Sequence, residues 1–386
     1  MRVVLTCNFS PWSAYSGGGQ RSTHELGTAL ARAGHDVTVI FTRPPWERFE
    51  VPQTEYRLEW ATFFDLKSRR AAPLRPLNAV SVASVVRRLH LTQPLDALHG
   101  NGEEVVLAAR WAQRRGLTVV TTPRYPSYPR ALLGEQGPSR AQRLGLLVTD
   151  AKYLVLAKAV AHSTWCAPTS AHAAEQVVKA LGADRARLVV IPNGVSACFF
   201  EERWTRTAGE RPIVFFGRLA HDKGLDVLLR ALGRGHPRKL LVIGRGDEEA
   251  RLRALAQELN LGAWVEWRPW VSPEALAREL AGASMAVLPS RKESFGNAMA
   301  EAMAVGTPLV TTSAGSIPEL VQHRVTGLLV APDDPSALRA AITELEEQPE
   351  WAERLGQSAR EHVMAKHSWP AIAQRYADLY TTAPAR

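Results

Sequence analysis

The stretch that decides the fold is residues 288–320, which read LPSRKESFGNAMAEAMAVGTPLVTTSAGSIPEL. Its pattern predicts an apolar strand over 285–288, an Ala- and Met-rich helix through Ala304 and a second strand over 308–312. Strands that alternate with helices predict a parallel α/β sheet, and such sheets bind ligands at the carboxyl ends of their strands. The sequence therefore predicts a ligand site in the loop between the first strand and the helix.

That loop ends in residues suited to an anion. The unpaired N–H groups at a helix start, together with the positive end of the helix dipole, favour negative charge. A glycine at this point lets an anion approach the main chain closely. We therefore predict donor-binding roles for Ser294, Phe295, Gly296 and Asn297.

Two carboxylates flank this helix start. Glu293 precedes the helix and Glu301, eight residues later, lies about one turn inside it. Carboxylates accept hydrogen bonds from hydroxyls, so one is predicted to hold a sugar and the other a ribose diol, with phosphates between them. This arrangement suits a nucleotide sugar. The alternative is a solvated helix Glu beside an unrelated loop Glu.

Two cations are predicted to face the same phosphates. Residues 212–216 read as a strand, and Gly217, Arg218, Lys223 and Gly224 follow it on the way into a helix. An Arg and a Lys in one strand-to-helix loop can both neutralise a leaving diphosphate. The next strand ends in a second glycine-rich turn that contains Arg245. The alternative is a pair of surface cations.

The first half of the chain repeats the βα alternation. Gly17, Gly18 and Gly19 follow a strand over 2–8 and precede a helix predicted over 22–33, so their N–H groups are candidates for binding the donor. A second strand end carries His99, a candidate catalytic acid or base. The alternative for this histidine is a structural role.

A domain boundary is predicted where Pro192-Asn193-Gly194-Val195 turns the chain, because Pro cannot extend a central strand and Asn-Gly favours turns. We predict an acceptor-side domain over 1–195, to which a helix over 368–386 returns, and a donor-binding domain over 196–367.

Taken together, these motifs resemble the retaining glycosyltransferases of family 4. The strongest pieces are Glu293-x7-Glu301, Gly217-Arg218 with Lys223-Gly224, the glycine triplet and the segment 191–195. The resemblance covers nearly the whole chain. It implies the GT-B fold of two facing Rossmann-like domains, with the C-terminal helix crossing back to the first domain. It also implies a nucleotide-sugar donor, retention of configuration, and catalytic roles for Glu293, Arg218 and Lys223.

One position departs from the family pattern. Relatives commonly end the strand over 118–122 in Thr-x-His, and Pro123 stands in place of that histidine. Arg124, His99 or a group of the acceptor itself could supply what is missing. Beyond it, Tyr125, Tyr128 and Arg130 are predicted to belong to a loop suited to a polar acceptor, as are the irregular residues 44–95.

Composition narrows the class of protein. The 386 residues carry a net charge of +9, with +10 in residues 1–190 and −1 in residues 191–386. A basic first half can steer toward a membrane face, a nucleic acid or a phosphorylated acceptor, or can be a solvated surface without a partner. Three scattered cysteines and the lack of an apolar run of membrane-spanning length predict a cytoplasmic protein, with peripheral contact at an anionic inner membrane face as an addition.

These observations together predict a hexosyltransferase that needs no cofactor. Its reaction is predicted to be metal-independent, because no Asp-x-Asp occurs in the sequence. The donor is predicted to be a UDP- or GDP-sugar, and the acceptor a hydroxyl of a glycan, a lipid-linked sugar or a small molecule. No nucleic-acid partner is expected. The alternatives are a sugar-nucleotide epimerase, a phosphorylase on the same fold, or a non-catalytic binder of nucleotides or nucleic acid.

Overall fold

The protein is described from a computed structural model. The structure describes residues 1–13, 17–63, 75–124, 128, 133, 151–206, 209–233 and 238–382. The chain divides into two compact units: unit 1 comprises Met1–Gly194 with Trp369–Arg386, and unit 2 comprises Val195–Ser368. Within the described ranges, no helix has both the length and the apolar character that a bilayer span requires.

Unit 1 is built on a parallel sheet of six strands in the order β3-β2-β1-β4-β5-β6. Its central strands are almost fully buried, because Val, Leu and Ile fill both faces. The strand order reverses between β1 and β4, which makes this pair the topological switch point of the sheet. The strands are β1 Arg2–Cys7, β2 Asp36–Arg43, β3 Arg57–Thr62, β4 Ala97–Gly100, β5 Thr118–Thr121 and β6 Trp165–Cys166.

Helices cover both faces of this sheet. The helix that was predicted from residue 22 begins earlier, so that Gly18 and Gly19 lie in its first turn and Gly17 is its N-cap. The helices of unit 1 are α1 Gly18–Arg32, α2 Arg75–Thr92, α3 Val106–Gln113, α4 Ala151–Ala161, α5 Ala171–Leu181 and, from the end of the chain, α14 Trp369–Thr381.

The last helix packs into the core of unit 1. Trp369, Tyr376 and Tyr380 of α14 are buried with the side chains of β1 and α1. Gly194 lies against this helix, since a Cβ atom on it would come within 2.5 Å of the Trp369 ring. The predicted Asn-Gly turn is wrong: the segment is not a turn, and Gly194 does not have a positive φ. The glycine is needed for close packing.

Unit 2 repeats the same plan. Its six parallel strands have the order β12-β11-β10-β7-β8-β9, with the reversal between β7 and β10. All four residues of β7, β8, β10 and β11 are buried. The strands are β7 Ile213–Phe216, β8 Leu240–Ile243, β9 Val265–Arg268, β10 Met285–Leu288, β11 Leu309–Thr312 and β12 Leu328–Val330.

The helices of unit 2 follow its strands. The helix predicted in the deciding stretch is confirmed, and its Ala- and Met-rich sequence suits a site where six of the nine residues are buried. The helices are α6 Ala197–Glu201, α7 Leu225–Leu232, α8 Glu249–Glu258, α9 Pro273–Gly282, α10 Asn297–Val305, α11 Ile317–Leu320, α12 Pro335–Glu347 and α13 Pro349–Lys366. The prediction of two Rossmann-like α/β sheets is confirmed.

Candidate active site

The switch point of unit 2 brings two of the predicted residues into contact. Lys223 follows β7 and Glu293 follows β10, the two strands between which the strand order reverses. The Lys223 Nζ donates a hydrogen bond to Glu293 Oε1 at 2.5 Å. Ser290 Oγ donates to the same oxygen at 3.2 Å. A small pocket opens here, with Gly217, Lys223, Ser290 and Glu293 as its polar lining.

The pair is shielded from solvent but not sealed. The Lys223 side chain is 24% exposed and that of Glu293 is 10% exposed. Charges in such a partly desolvated setting interact more strongly than on an open surface. The pair can therefore bind a charged or hydroxyl-rich ligand at the edge of the sheet.

A glycine allows the two loops to meet. Gly224 has a φ of +72°, and a Cβ atom on it would lie 2.0 Å from the carbonyl oxygen of Pro289. A side chain at this position would force the turn that carries Lys223 away from the loop that carries Glu293. A glycine directly after Lys223 is therefore needed for the two loops to approach each other.

The loop after β11 holds the main chain of Glu293 from the other side. Gly315 has a φ of +58°, and its Cβ position would be 2.4 Å from the Glu293 carbonyl oxygen. The Ser316 N–H donates to that same oxygen at 3.3 Å. The loops that follow three neighbouring strands of the sheet, β11, β10 and β7, therefore meet at Glu293.

Arg218 differs from the prediction in its direction. The sequence predicted that Arg218 and Lys223 point at one diphosphate. In the structure Arg218 is exposed, and its Nη2 donates to both carboxylate oxygens of Asp222 at 3.1 Å. Only Lys223 of the two cations lines the pocket.

Arg245 lies on the neighbouring loop. The Leu219 N–H donates to the Arg245 carbonyl at 2.9 Å, which links the loops after β7 and β8. Gly244 and Gly217 make this possible, since a Cβ atom on Gly244 would be 1.9 Å from the Gly217 carbonyl oxygen. The Arg245 side chain is exposed and has no ion-pair partner among the residues that the structure describes.

The start of α10 has the predicted form, with one exception. Gly296 is its N-cap with a φ of +100°, and Asn297 is its first residue. Ser294, Asn297 and Glu301 are half-buried. Phe295 is 5% exposed, and its ring lies 5.4 Å from that of His367 in the core. Its side chain therefore packs inside the protein, and only its main chain is left for a donor.

The other predicted donor residues, Gly17, Gly18 and Gly19, belong to unit 1. They start α1, whose first turn contains no acidic side chain. The Gly17 N–H is already taken by the Gln20 side chain, at 3.0 Å. Gly18 and Gly19 follow it in the first turn, where helix N–H groups lack intrahelical partners.

The prediction of a catalytic His99 is not supported by its surroundings. Its side chain is fully buried, and its Nδ1 and Nε2 form hydrogen bonds of 2.8 Å with the hydroxyls of Tyr380 and Thr122. Burial, with a smaller effect of Arg124, lowers the pKa of His99 to about 3. A neutral ring with both nitrogens occupied has a structural role.

The segment that follows the strand of His99 carries a buried carboxylate that the sequence pattern did not indicate. Glu104 is 1% exposed, and its Oε1 accepts hydrogen bonds from Thr6 Oγ1 at 3.0 Å and from the Asn101 N–H at 3.2 Å. Burial, with a smaller effect of Glu103, raises the pKa of Glu104 to about 7. Nothing in Gly-Glu-Glu-Val marks the second glutamate as the buried one.

Arg124 occupies the position after Pro123. Its Nε donates to Asn101 Oδ1 at 2.7 Å, and its Nη1 donates to Asn193 Oδ1. The guanidinium is thus fixed by two amide oxygens. Of the two residues suggested as replacements for the family histidine, Arg124 is the half-buried one and His99 the sealed one.

The acceptor loop is described only in part. Tyr125 and Arg130 lie outside the described residues. Tyr128 is 6% exposed and packs against Tyr153, with 5.5 Å between ring centroids. The Tyr128 side chain therefore lies in the core and not on a surface where it could contact an acceptor as predicted.

Within the described ranges, no group of three or more His, Cys, Asp or Glu side chains is arranged to hold a metal ion.

Family models match both halves of the chain. The model described as "Glycosyltransferase Family 4" matches residues 16–197, and the one described as "Glycosyl transferases group 1" matches residues 199–362. The chain is therefore similar to family 4 glycosyltransferases over unit 1 and to group 1 glycosyltransferases over most of unit 2.

Proteins of similar sequence include glycosyltransferases. The D-inositol 3-phosphate glycosyltransferase of Acidothermus cellulolyticus is 28% identical over 396 residues, which cover 93% of this chain and 84% of the relative. An uncharacterized glycosyltransferase of Methanocaldococcus jannaschii is 30% identical over 54% of this chain and 57% of its own. The chain spans about half the length of several such relatives, between 50% and 57%.

Solved structures share the fold. The sucrose-phosphate synthase of Thermosynechococcus elongatus has a TM-score of 0.79 and 24% identity, with 98% of both chains covered. Anabaena HepE in complex with UDP and glucose has a TM-score of 0.73 and 18% identity, with 99% and 100% covered. The predicted GT-B fold is therefore confirmed.

Proposed function

We propose that this glycosyltransferase moves a hexosyl unit from a nucleotide-diphospho sugar to an acceptor hydroxyl with retention of configuration. The observation that carries the proposal is the contact of Lys223 with Glu293 at the switch point of unit 2. A cation and a hydroxyl-binding carboxylate that share one pocket suit the diphosphate and the sugar of such a donor.

Uridine is the first base to test. HepE, which has the same fold, was crystallised with UDP and with UDP-glucose. That finding belongs to a protein of 18% identity, so it supports UDP-sugars here and leaves GDP-sugars as the second choice.

Different residues of unit 2 are assigned to different parts of the donor. Lys223 and Arg218 stabilise the charge that develops on the leaving diphosphate, which is the largest catalytic effect we expect. A diphosphate that takes both cations replaces their carboxylate partners, Glu293 and Asp222. Glu293 is then available to orient the donor sugar, and Glu301 to hold the ribose.

Retention is proposed to follow a front-face course. The bond from the anomeric carbon to the diphosphate breaks, the acceptor oxygen bonds to the same face, and its proton passes to the leaving phosphate oxygen. The buried Glu104 is hydrogen-bonded within unit 1, so it is not offered as a nucleophile. The two cations supply the charge that a metal provides in other transferases, so a metal-independent reaction without a cofactor remains the proposal.

A small acceptor that carries a phosphate is the first acceptor class to test. Two related proteins are named for phosphorylated compounds, an inositol 3-phosphate glycosyltransferase and a sucrose-phosphate synthase. The net charge of +10 in residues 1–190 favours an anionic acceptor. Glycan and lipid-linked acceptors follow, the latter with peripheral contact of this basic half at a membrane.

The test begins with thermal unfolding in the presence of UDP-, GDP- and ADP-sugars, since a ligand that binds the folded state raises its melting temperature. With the donor in hand, Arg218→Ala is expected to lower turnover by roughly 100-fold, the scale of losing one stabilising donor. The exposed Arg253, paired with Glu249 on α8, provides a matched Arg→Ala control. A loss below threefold in a folded Arg218→Ala protein would contradict the assignment.

A further inference from the structure

Arg291 is a nearly buried arginine in the loop after β10, and it contacts the turn that precedes Lys223. It follows Ser290 and precedes Glu293 by two residues, and its side chain is only 12% exposed. Its guanidinium forms a bidentate pair with Asp226, with Nη1 to Oδ1 at 2.8 Å and Nη2 to Oδ2 at 3.0 Å. Asp226 lies in the first turn of α7, three residues after Lys223.

The same arginine fastens the turn that carries Lys223. Its main-chain N–H donates to the Asp222 carbonyl at 2.8 Å, and its Nη1 donates to the His221 carbonyl at 2.6 Å. Two successive carbonyls of the turn are therefore tied to the loop after β10. That loop also carries Glu293, so Arg291 joins the supports of both partners in the Lys223–Glu293 contact.

The anchor of this arginine is a fixed charge. Burial raises the pKa of Asp226, but hydrogen bonds from Arg291 and Arg230 outweigh it and lower the pKa to about 2. Asp226 therefore stays ionised at neutral pH. A further Arg291 donor, Nε, binds Asp333 Oδ1 at 2.6 Å.

Stability alone is a weak explanation for such a pair. Buried ion pairs cost desolvation, and apolar side chains of similar volume often stabilise a protein as well. What apolar side chains lack is the planar, directional set of donors that fixes one loop against another. Arg291 uses that set on His221, Asp226 and Asp333 at once.

We propose that Arg291, anchored by Asp226, is a positioning residue that holds Lys223 at the place where the donor diphosphate binds. The inference rests on the proposed function of the same pocket. Arg291 acts through Lys223 and does not touch the donor. Its replacement by lysine keeps the charge but loses the bidentate geometry, and the turn with Lys223 is then held less firmly.

The experiment is a double-mutant cycle between Arg291→Lys and Lys223→Ala. The probe is whichever of UDP, GDP and ADP the wild type binds, and affinity is measured by calorimetry. We expect Arg291→Lys to weaken binding roughly tenfold in the wild type, and less than twofold when Lys223 is already alanine, because coupled residues are not additive. Asp226→Asn is a second variant in the same direction, for use if Arg291→Lys unfolds.

Arg230→Lys is the matched control. Arg230 bonds to the same carboxylate at 2.7 Å from the more exposed side, and its hydrogen bonds among the described residues go to Asp226 and not to the turn at 221–223. Its replacement by lysine is expected to leave affinity within twofold of the wild type.

Three outcomes separate the possibilities. Wild-type affinity in folded Arg291→Lys and Asp226→Asn proteins overturns the inference. An equal loss with and without Lys223 also overturns it, since Arg291 then acts on the fold generally. Wild-type affinity in Lys223→Ala overturns the proposed function of the pocket itself, a result distinct from the other two.

Discussion

The two switch points of this molecule have the same topology and opposite character. In unit 1 the reversal lies between β1 and β4, and in unit 2 between β7 and β10. The first holds His99 and Glu104, both sealed in the interior by hydrogen bonds. The second holds Lys223 and Glu293, which are partly exposed and line a small pocket.

The difference shows what a strand end does and does not indicate. The carboxyl end of a central strand is a place where ligands bind, but a polar side chain there can equally turn inward to satisfy its neighbours. Exposure and partners decide between the two. The three predictions below test this contrast between the buried switch point of unit 1 and the partly exposed one of unit 2.

The largest effect is expected at Glu104, as a change of stability with pH. Its folded pKa is about 7 against an ordinary 4.5, so between these values the folded protein retains a proton that the unfolded chain releases. Stability from this group therefore falls as pH rises through that window, by roughly 3 kcal/mol in total. Glu104→Gln removes the dependence.

The measurement is the free energy of unfolding of wild type and Glu104→Gln by denaturant at pH 4.5 and pH 8. The variant should gain on the wild type by roughly 3 kcal/mol between the two values. His99 contributes with the opposite sign, because its pKa is lowered, but it does so in both proteins. Glu103→Gln removes a half-buried carboxylate from the same turn, and because Glu103 is only the smaller cause of the raised Glu104 pKa, most of the pH dependence should remain. A constant difference across pH would contradict a sealed Glu104.

A smaller effect is expected at the partly exposed switch point of unit 2. Glu293→Gln keeps the shape of the side chain but removes the charge that Lys223 contacts and that is proposed to bind the donor sugar hydroxyls. Turnover should fall about tenfold, which is about 1.4 kcal/mol, and the preference among donor sugars should change. Initial rates with several UDP- and GDP-sugars provide the measurement.

Glu347→Gln, at an exposed position near the end of α12, controls for the loss of a carboxylate from unit 2. It should leave rates and preference unaltered. If Glu293→Gln kept both the wild-type rate and the wild-type choice of sugar, Glu293 would have no role in binding the sugar.

The smallest effect is expected at Tyr380. Tyr380→Phe removes the hydroxyl that bonds to His99 Nδ1 at 2.8 Å, and a buried hydrogen bond contributes about 1 kcal/mol. Denaturant unfolding should show that loss, while turnover stays within threefold. Tyr376→Phe, which removes a longer bond of 3.2 Å to Thr122, is the comparison. A tenfold fall in turnover would show that His99 takes part in the reaction.

Much of the fold and two residues of the candidate site could be predicted from the sequence. The strand over 285–288, the helix that follows it and the next strand lie where the pattern put them, because apolar runs and glycine spacing are local signals. The family motifs also selected Lys223 and Glu293, which the fold brings to 2.5 Å.

Other features had no local signal. Gly194 resembled a turn residue, yet its reason is the ring of Trp369, which lies 175 positions away in the chain. His99 and Glu104 follow a strand as ligand-binding residues do, and their burial depends on α14 and on β1. Arg291 resembled any loop arginine until Asp226 was placed opposite it.

By itself, the sequence determined the alternation of strands and helices, the two doubly wound sheets and the residues that reach the strand ends. These depend on periodicity and turn chemistry within short windows. Only the tertiary structure decided which strand-end side chains stay accessible, which arginine holds the turn of Lys223 and which glycines relieve close contacts. Those outcomes depend on residues far apart in the chain, whose approach and desolvation no local window contains.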